Sequence, residues 1–352
     1  MRSMLAIRFW SLLFVVVAAL WWWATRTHAG SWWWAAVLNV IPPQILLPLP
    51  LWLAWRAMKA KKRGWVLLNL AAAALFTVST VGFVLPKAAK PQMQSDVPLT
   101  LMTLNANYAS ASPAHLAEIA LREGVQVLTL QEGLNKSFSA EPYQSELRAA
   151  FPNWTLVRHD ELLTLSRLPV LKSQVVKFPN TPHAVLVTWL RDEGQTVMVV
   201  NTHLPTLSLM PNSSDKVLGR DLPERIGHGL SIRRDFQQTV AGLLRQNAGP
   251  LVLAGDLNTP ARGGVVNQLR FLKLRDAFAE GGSGFGFTHY ALPLMGHSRI
   301  DYVWVRDLQV VRATVQRDLL SDHRAYVVRL SVPAPVDETS GAGESGKPDD
   351  GK

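Results

Sequence analysis

The sequence predicts an α/β domain with two layers of sheet between helices, carried behind an N-terminal membrane region. Three observations predict it: long apolar runs in residues 1–86, short apolar strands alternating with helical segments and then hairpins in residues 99–332, and polar residues recurring at the strand ends. The chain has 352 residues, 48% hydrophobic and 18% charged, enough for one large domain plus a smaller one and unusually apolar for a wholly soluble protein. The absence of cysteine excludes disulfides, zinc–thiolate sites, iron–sulfur clusters and a thiol nucleophile, and leaves the compartment open. A formal charge of +10 suggests a polyanion partner until its distribution is read: residues 1–90 hold ten Lys or Arg and no acid, leaving 26 basic against 26 acidic residues beyond them. The positive charge belongs to the membrane region, and the domain that follows has no general attraction for nucleic acid.

The membrane region comes first. Residues 5–23, 32–55 and 65–85 are apolar and long enough, at about 1.5 Å per residue, to cross roughly 30 Å of hydrocarbon. Three spans are expected, the second crossed by Pro42, Pro43, Pro48 and Pro50 and therefore a candidate for a broken or re-entrant segment. A signal peptide is the other reading of the first run, but no small-residue cleavage site follows it. The basic block Arg56, Lys59, Lys61, Lys62, Arg63 places the loop between the second and third spans in the cytoplasm, and hence the N-terminus inside and everything after Pro86 outside. Trp21–Trp23 and Trp32–Trp34 then fall together at the outer interface. The protein is expected in the cell membrane, multi-pass, with its domain periplasmic or extracellular. Residues 87–98 read as a polar linker and residues 333–352, rich in Pro, Gly, Ser and acids, as a disordered tail.

Between them, residues 99–104 read as a strand ending in Asn105, residues 115–123 as a helix stopped by Gly124, and residues 125–130 as a second strand ending in Gln131 and Glu132. A helix at 141–150, short strands at 154–158 and 162–165, and a hairpin of 183–190 with 196–200 ending in Asn201, Thr202, His203 follow. Residues 205–229 read as a long irregular excursion of the kind that carries specificity. Residues 231–245 are helical, with Ile232, Phe236, Val240 and Leu243 on one face. A helix at 264–270, a strand at 274–278, a glycine-rich loop to Phe287, and strands at 300–305, 309–315 and 325–330 complete the domain.

The segment at 251–260, LVLAGDLNTP, ends a buried-strand pattern and presents Asp256 and Asn258 from its tip. A carboxylate accepts a proton or holds a cation, while a carboxamide donates to an oxygen without adding negative charge, a useful pairing for phosphoryl chemistry. Alone, Asp-x-Asn is equally a turn whose side chains cap the backbone. His203 alone is a polar turn residue, Glu132 a helix cap, and Ser321 with Asp322 a turn pair. Their joint recurrence at strand ends, with Asn105 and Asp301, favours a site.

In order, Asn105, LQE at 130–132, LSRLP at 165–169, NTH at 201–203, GDLNTP at 255–260, RIDYVWV at 299–305 and SDHRA at 321–325 resemble the endonuclease/exonuclease/phosphatase superfamily, which includes DNase I-like nucleases, neutral sphingomyelinases and inositol-phosphate phosphatases. The likeness spans residues 99–331 and implies a four-layered α/β sandwich with a metal-dependent phosphoesterase centre. The short membrane spans ahead of it resemble the bacterial membrane-anchored VanJ-like branch. The resemblance implies Glu132 as principal Mg²⁺ ligand, with Mn²⁺ as a substitute, Asn105 in support and Asp322 as a second metal or electrostatic position. Asn107 stands where several nucleases have an acid, which affects metal affinity or number. The resemblance also implies Asp256 orienting or deprotonating water, Asn258 holding the phosphate or that water, His203 and His323 donating to non-bridging oxygens, and Asp301 orienting His323. Arg167 is expected to support the sheet edge, and Thr288 to mark a loop beside the site. No organic cofactor is implied.

The expected reaction is phosphoester hydrolysis by in-line attack of water. Charge balance and a membrane tether point to a membrane phospholipid or a polyprenyl phosphate or pyrophosphate as the partner, with nucleic acid, and so an extracytoplasmic nuclease, as the alternative. Arg220, Arg225, Arg233 and Arg234 form a local phosphate patch or are solvated helix and loop charges. A weakened scaffold or binding domain is the remaining alternative, opposed by His203, Asp256, Asn258 and His323 and favoured by Asn107.

Overall fold

The computed structural model describes residues 2–88, 97–134, 141–207, 209–211, 219–290 and 298–332. The tail at 333–352, most of the linker and part of the 205–229 excursion lie outside these residues. Two helical stretches, Met4–Thr27 and Arg63–Val81, are long and apolar enough to cross a membrane, and Trp33–Val40 with Pro43–Lys59 forms a pair bent by 76°. The prolines explain the bend. Pro42 and Pro43 have no N–H to continue the first helix, and the chain turns through Pro43–Leu46 before Pro48 opens the next helix.

The remaining chain builds two six-stranded sheets. One runs β11 (Gln309–Leu319), β12 (Arg324–Val332), β1 (Val97–Asn105), β2 (Val127–Gln131), β4 (Leu162–Ser166), β3 (Thr155–His159). The other runs β5 (Val170–Lys177), β6 (Ala184–Asp192), β7 (Gln195–His203), β8 (Leu251–Asp256), β10 (Asp301–Arg306), β9 (Arg275–Asp276). Alternate residues of each central strand point to opposite faces, so each sheet feeds two cores. Leu99, Leu101, Val197, Val199, Val252, Val303 and Tyr326 meet between the sheets. Val200, Leu253 and Trp304 of the second sheet pack under helices Leu222–Gln246 and Gly264–Phe271. Met102, Leu104, Leu128 and Leu163 of the first pack under Pro113–Glu123 and Glu141–Ala150. Asn201 ties the two sheets at the site end: its amide donates to the carbonyls of Leu130 (3.1 Å) and Leu163 (2.9 Å) and its oxygen accepts from Gln131 (2.7 Å). A buried amide left without these partners costs about 1–3 kcal/mol, so the tie also fixes how the sheets face each other.

Three sequence expectations need correction. Helix 231–245 begins earlier, at Leu222, because Asp221 accepts from the Glu224 N–H (2.9 Å) while Glu224 bonds back to the Asp221 N–H (3.2 Å), and Pro223 sits in the first turn where it costs no hydrogen bond. Residues 222–229 therefore belong to a helix, whose Gly229 leaves room for Leu207, since a Cβ there would lie 2.3 Å from that side chain. The strand at 274–278 shortens to Arg275–Asp276, because the Asp276 carboxylate caps the Phe278 N–H (3.0 Å) and starts helix Ala277–Gly281. Strand β5 has no counterpart in the sequence reading; it is an edge strand with mostly exposed residues, including Lys172 and Lys177, and lacks a buried stripe.

The domain sits directly on the membrane helices. Arg262 is buried, and its guanidinium donates to the carbonyls of Thr80 (3.2 Å), Asn39 (3.0 Å) and Ile41 (3.2 Å), gathering the end of helix Trp33–Val40 and the end of the stretch Arg63–Val81. Asn267 donates to Arg26 O (2.6 Å), Val84 pairs with Gly284 as an antiparallel bridge, and a Cβ on Gly264 would meet Gly30 Cα at 2.6 Å. Trp32 stacks on His28 at the same end of the first helix, with ring centroids 3.6 Å apart.

Candidate active site

Register assembles the centre. Parallel pairing of β7 with β8 sets His203 beside Asp256, and antiparallel pairing of β8 with β10 sets Asp301 on its other side. Three chemistry-bearing residues thus stand abreast on adjacent strands. Gly255 makes this possible: at φ 140° its backbone passes so near Thr202 that a Cβ would lie 1.9 Å from that carbonyl oxygen. The first sheet contributes Asn105 and Glu132 from the ends of its parallel strands β1 and β2, and His323 from the turn before β12. Glu132 (φ 53°) and Asn258 (φ 45°) both occupy the left-handed region, a costly conformation for such residues that the surrounding structure imposes.

Two carboxylate–imidazole pairs face a central carboxylate. Asp301 Oδ2 lies 2.7 Å from His323 Nδ1, and Glu161 Oε1 lies 2.7 Å from His203 Nδ1. Each pair turns its Nε2 inward, toward Asp256 Oδ2 at 3.8 Å from His323 and 3.9 Å from His203. Glu132 stands 3.7 Å from His203 Nε2. Asn258 closes the ring: its amide nitrogen lies 3.3 Å from His203 Nε2 and donates to Asp256 Oδ2 (3.2 Å) and Leu204 O (2.7 Å), while its N–H donates to Asp256 Oδ1 (2.8 Å).

The expected residues therefore converge, with differences in detail. Asn105 turns its amide nitrogen to Glu132 (2.8 Å) and Asp256 (3.1 Å), while its oxygen accepts the Asn107 N–H (2.9 Å). Asn107 is half-buried in a left-handed turn, and among the described residues its side chain makes no hydrogen bond to the cluster. Asp322 lies off centre, its side chain 44% exposed and 3.9 Å from His289 Nε2. Thr288 does more than mark a loop, accepting from the N–H groups of Ile300 (3.1 Å) and Asp301 (3.2 Å). Arg299 and Tyr302 brace the same strand: Arg299 makes a bidentate buried pair with Asp276 (3.0 and 2.6 Å), and Tyr302 donates to Thr259 O (2.9 Å). The proposed arginine patch dissolves at Arg233, which is buried and donates to the carbonyls of Pro205 (2.9 Å), Gly229 (3.1 Å) and Asn258 (3.1 Å). It secures the backbone of the GDLNTP turn.

Burial alone would lower the pKa of both histidines, but their carboxylate partners outweigh it. His203 is pushed up to about 9 by the bonded Glu161 with Asp256 and Glu132, and His323 up to about 10 by Asp301 with Asp256. Burial and the charge of Asp301 push Asp256 the other way for an acid, up to about 6, against the pull of His323 and His203. The two imidazoles are thus held as imidazoliums at neutral pH, beside an Asp256 whose proton affinity is raised above that of an ordinary carboxylate.

Glu161, in the turn between β3 and β4, escaped the sequence reading, and its role gives a direct test. Glu161→Gln is expected to bring the His203 titration down from about 9 toward the ordinary value near 6.5, as followed by NMR of the imidazole. The Glu161–His203 contribution to stability is fully present below the ordinary value and lost as pH rises through about 9, so the variant should lose stability chiefly at and below neutral pH. An unchanged His203 titration would remove Glu161 from the site.

The donor set also fits a hard divalent cation. Asp256, Asp301 and His323 bring ligand-type atoms within 4.8 Å of one another, as do His289, Asp322 and His323, and with His323 protonated it is the carboxylate oxygens that would hold the cation. Asp301 Oδ1 and Asp322 Oδ1 are buried without a hydrogen-bond partner among the described residues. His289, absent from the sequence expectations, enters through bridges to His323 and Ser298.

The profile of the Endonuclease/Exonuclease/phosphatase family matches residues 102–323. The chain belongs to that family. A family protein from Bacteroides thetaiotaomicron superposes with a TM-score of 0.52 at 13% identity, covering 68% of this chain and 99% of that one. One from Bacteroides vulgatus gives 0.50 at 14% identity, covering 68% and 100%. One from Beutenbergia cavernae gives 0.49 at 20% identity, covering 67% and 72%. For the two Bacteroides proteins, at these identities, the likeness is one of fold. No curated protein matches the sequence.

Proposed function

We propose that this protein is a Mg²⁺-dependent hydrolase, able to use Mn²⁺, that cleaves a phosphoester of a membrane phospholipid or polyprenyl phosphate at the extracytoplasmic face. The reading includes a three-pass anchor with the bent pair as its second crossing, a four-layered sandwich, and kinship with the VanJ-like branch. One observation carries it: two carboxylate-backed imidazoles converge on Asp256 and Asn258 in a domain whose loops are hydrogen-bonded to the ends of the membrane helices.

Each residue then has a task. Asp256 accepts a proton from the attacking water, with its second oxygen fixed by the Asn258 N–H. His203 and His323 as imidazoliums donate from Nε2 to non-bridging oxygens as charge gathers there. Asn258 orients the water or the phosphate without adding charge, and Glu161 and Asp301 hold the rings in place. Glu132, with the neighbouring aspartates, would hold a divalent cation, which would supply the charge that lets a phosphoester approach so many carboxylates. Water oxygen bonds to phosphorus as the ester oxygen leaves.

The substrate class is tested by offering the full-length protein in nanodiscs, with Mg²⁺, a panel of lipid phosphates and phosphodiesters beside single-stranded and duplex DNA. Release of phosphate or headgroup from lipid, with DNA left intact, is expected. Cleavage of DNA in preference to every lipid would overturn the lipid reading.

A further inference from the structure

A cavity of about 280 Å³ joins the bend of the membrane helices to the catalytic centre. Its walls include Val40 and Pro42 from the bent pair and Leu207, Pro260 and Ile300 from the domain; Asn258 and His289 lie at its polar end. We infer that this cavity receives the hydrocarbon chain of a lipid phosphate next to its headgroup, so that the bent helix pair is part of the substrate site as well as an anchor. The inference rests on the phosphoesterase reading above and adds how the lipid is presented.

Three features support this occupant. The cavity is continuous with Asn258, whose amide also faces His203 and Asp256, so a ligand filling it ends at the phosphoryl chemistry. Most of the surface it exposes is apolar, which suits a hydrocarbon chain, while its polar side chains gather toward the headgroup end at Asn258 and His289. Val40 remains 38% exposed at the end of its helix, so the cavity borders the face a membrane lipid would leave from. Arg262 holds the geometry open by bonding the carbonyls of Asn39 and Ile41 at the bend, which the end of a helix broken by Pro42 and Pro43 leaves free.

Photolabelling tests the inference without relying on turnover. The probe is a 1-acyl glycerol phosphate with a diazirine in its chain, offered to the full-length protein in phosphatidylcholine nanodiscs containing EDTA. Adducts are expected on the segments carrying Val40, Leu207 or Ile300, competed by unlabelled 1-acyl glycerol phosphate. Val40→Trp, at a half-open position that tolerates a larger ring, should lower that labelling about ten-fold or more. The same variant should keep the thermal melting midpoint of the wild type in nanodiscs, so that the lost labelling reports the cavity and not the fold. Labelling confined to the outer faces of Met4–Thr27 and Arg63–Val81, or indifferent to Val40→Trp, would overturn the inference. The two readings fail separately: cavity labelling in a protein that hydrolyses nothing upholds the lipid site and defeats the enzyme, whereas lipid hydrolysis without cavity labelling does the reverse.

Discussion

His323→Ala is expected to lower kcat by about 10²–10⁴-fold, the range for losing a positioned proton donor or oxyanion-stabilising group. Two observations put the effect at the high end. Nε2 of His323 is directed at Asp256, and the bonded Asp301 keeps the ring charged up to about 10, so at neutral pH the variant loses a full positive charge at the reacting phosphate. The same substitution strands Asp301, which is buried, faces His323 at 2.7 Å, and has Oδ1 already without a partner among the described residues. Breaking such a pair costs about 3–5 kcal/mol, so stability should fall as well. Pairing His323→Ala with Asp301→Asn separates the effects. The double variant should regain much of the stability, because no buried charge is left unpaired, and none of the turnover. Recovery of kcat in the double variant would mean that His323 serves only to neutralise Asp301.

Glu132→Gln should have the second large effect, a loss on the order of 10²–10³ in kcat together with weaker Mg²⁺ activation. The substitution keeps the side chain's length and its contact with the Asn105 amide, and removes one charge. Glu132 sits at φ 53° at the end of β2, a backbone conformation maintained by packing around it, so the isosteric change tests charge with little disturbance of the turn. Raising Mg²⁺ should restore part of the activity if Glu132 holds the cation. A loss that no concentration of Mg²⁺ relieves, with cation binding intact by calorimetry, would place Glu132 among the substrate contacts.

Much of this centre was legible in the sequence because its residues close short apolar strands, where side chains collect at one edge of a sheet. Asn105, Glu132, His203 and Asp256 follow that rule, Asp301 and His323 stand at or just before strand starts, and the strand register then aligns three of the six. Glu161 was not legible. It lies in a tight turn beside Asp160, where two acids read as solvent-facing, and its contact with a residue 42 positions away depends on how the two sheets are tied together. Arg233 was misread for a related reason: a charge in a sequence reads as exposed unless its partners are visible, and Arg233 is partnered by the carbonyls of Pro205, Gly229 and Asn258. The start of helix Leu222–Gln246 was hidden by Pro223 and two glycines, whose meaning reverses once the Asp221–Glu224 cap is recognised. The break in the second apolar run was legible from its prolines. That the break borders the candidate site was not, because it depends on the tertiary contacts of Arg262.

The central claim is metal-dependent phosphoester hydrolysis at this cluster, and its most direct measurement is phosphate release from a lipid phosphate in nanodiscs by wild-type and Glu132→Ala protein, each with Mg²⁺ and with EDTA. Release is expected only from the wild type with Mg²⁺. Equal release by Glu132→Ala in EDTA would contradict the account.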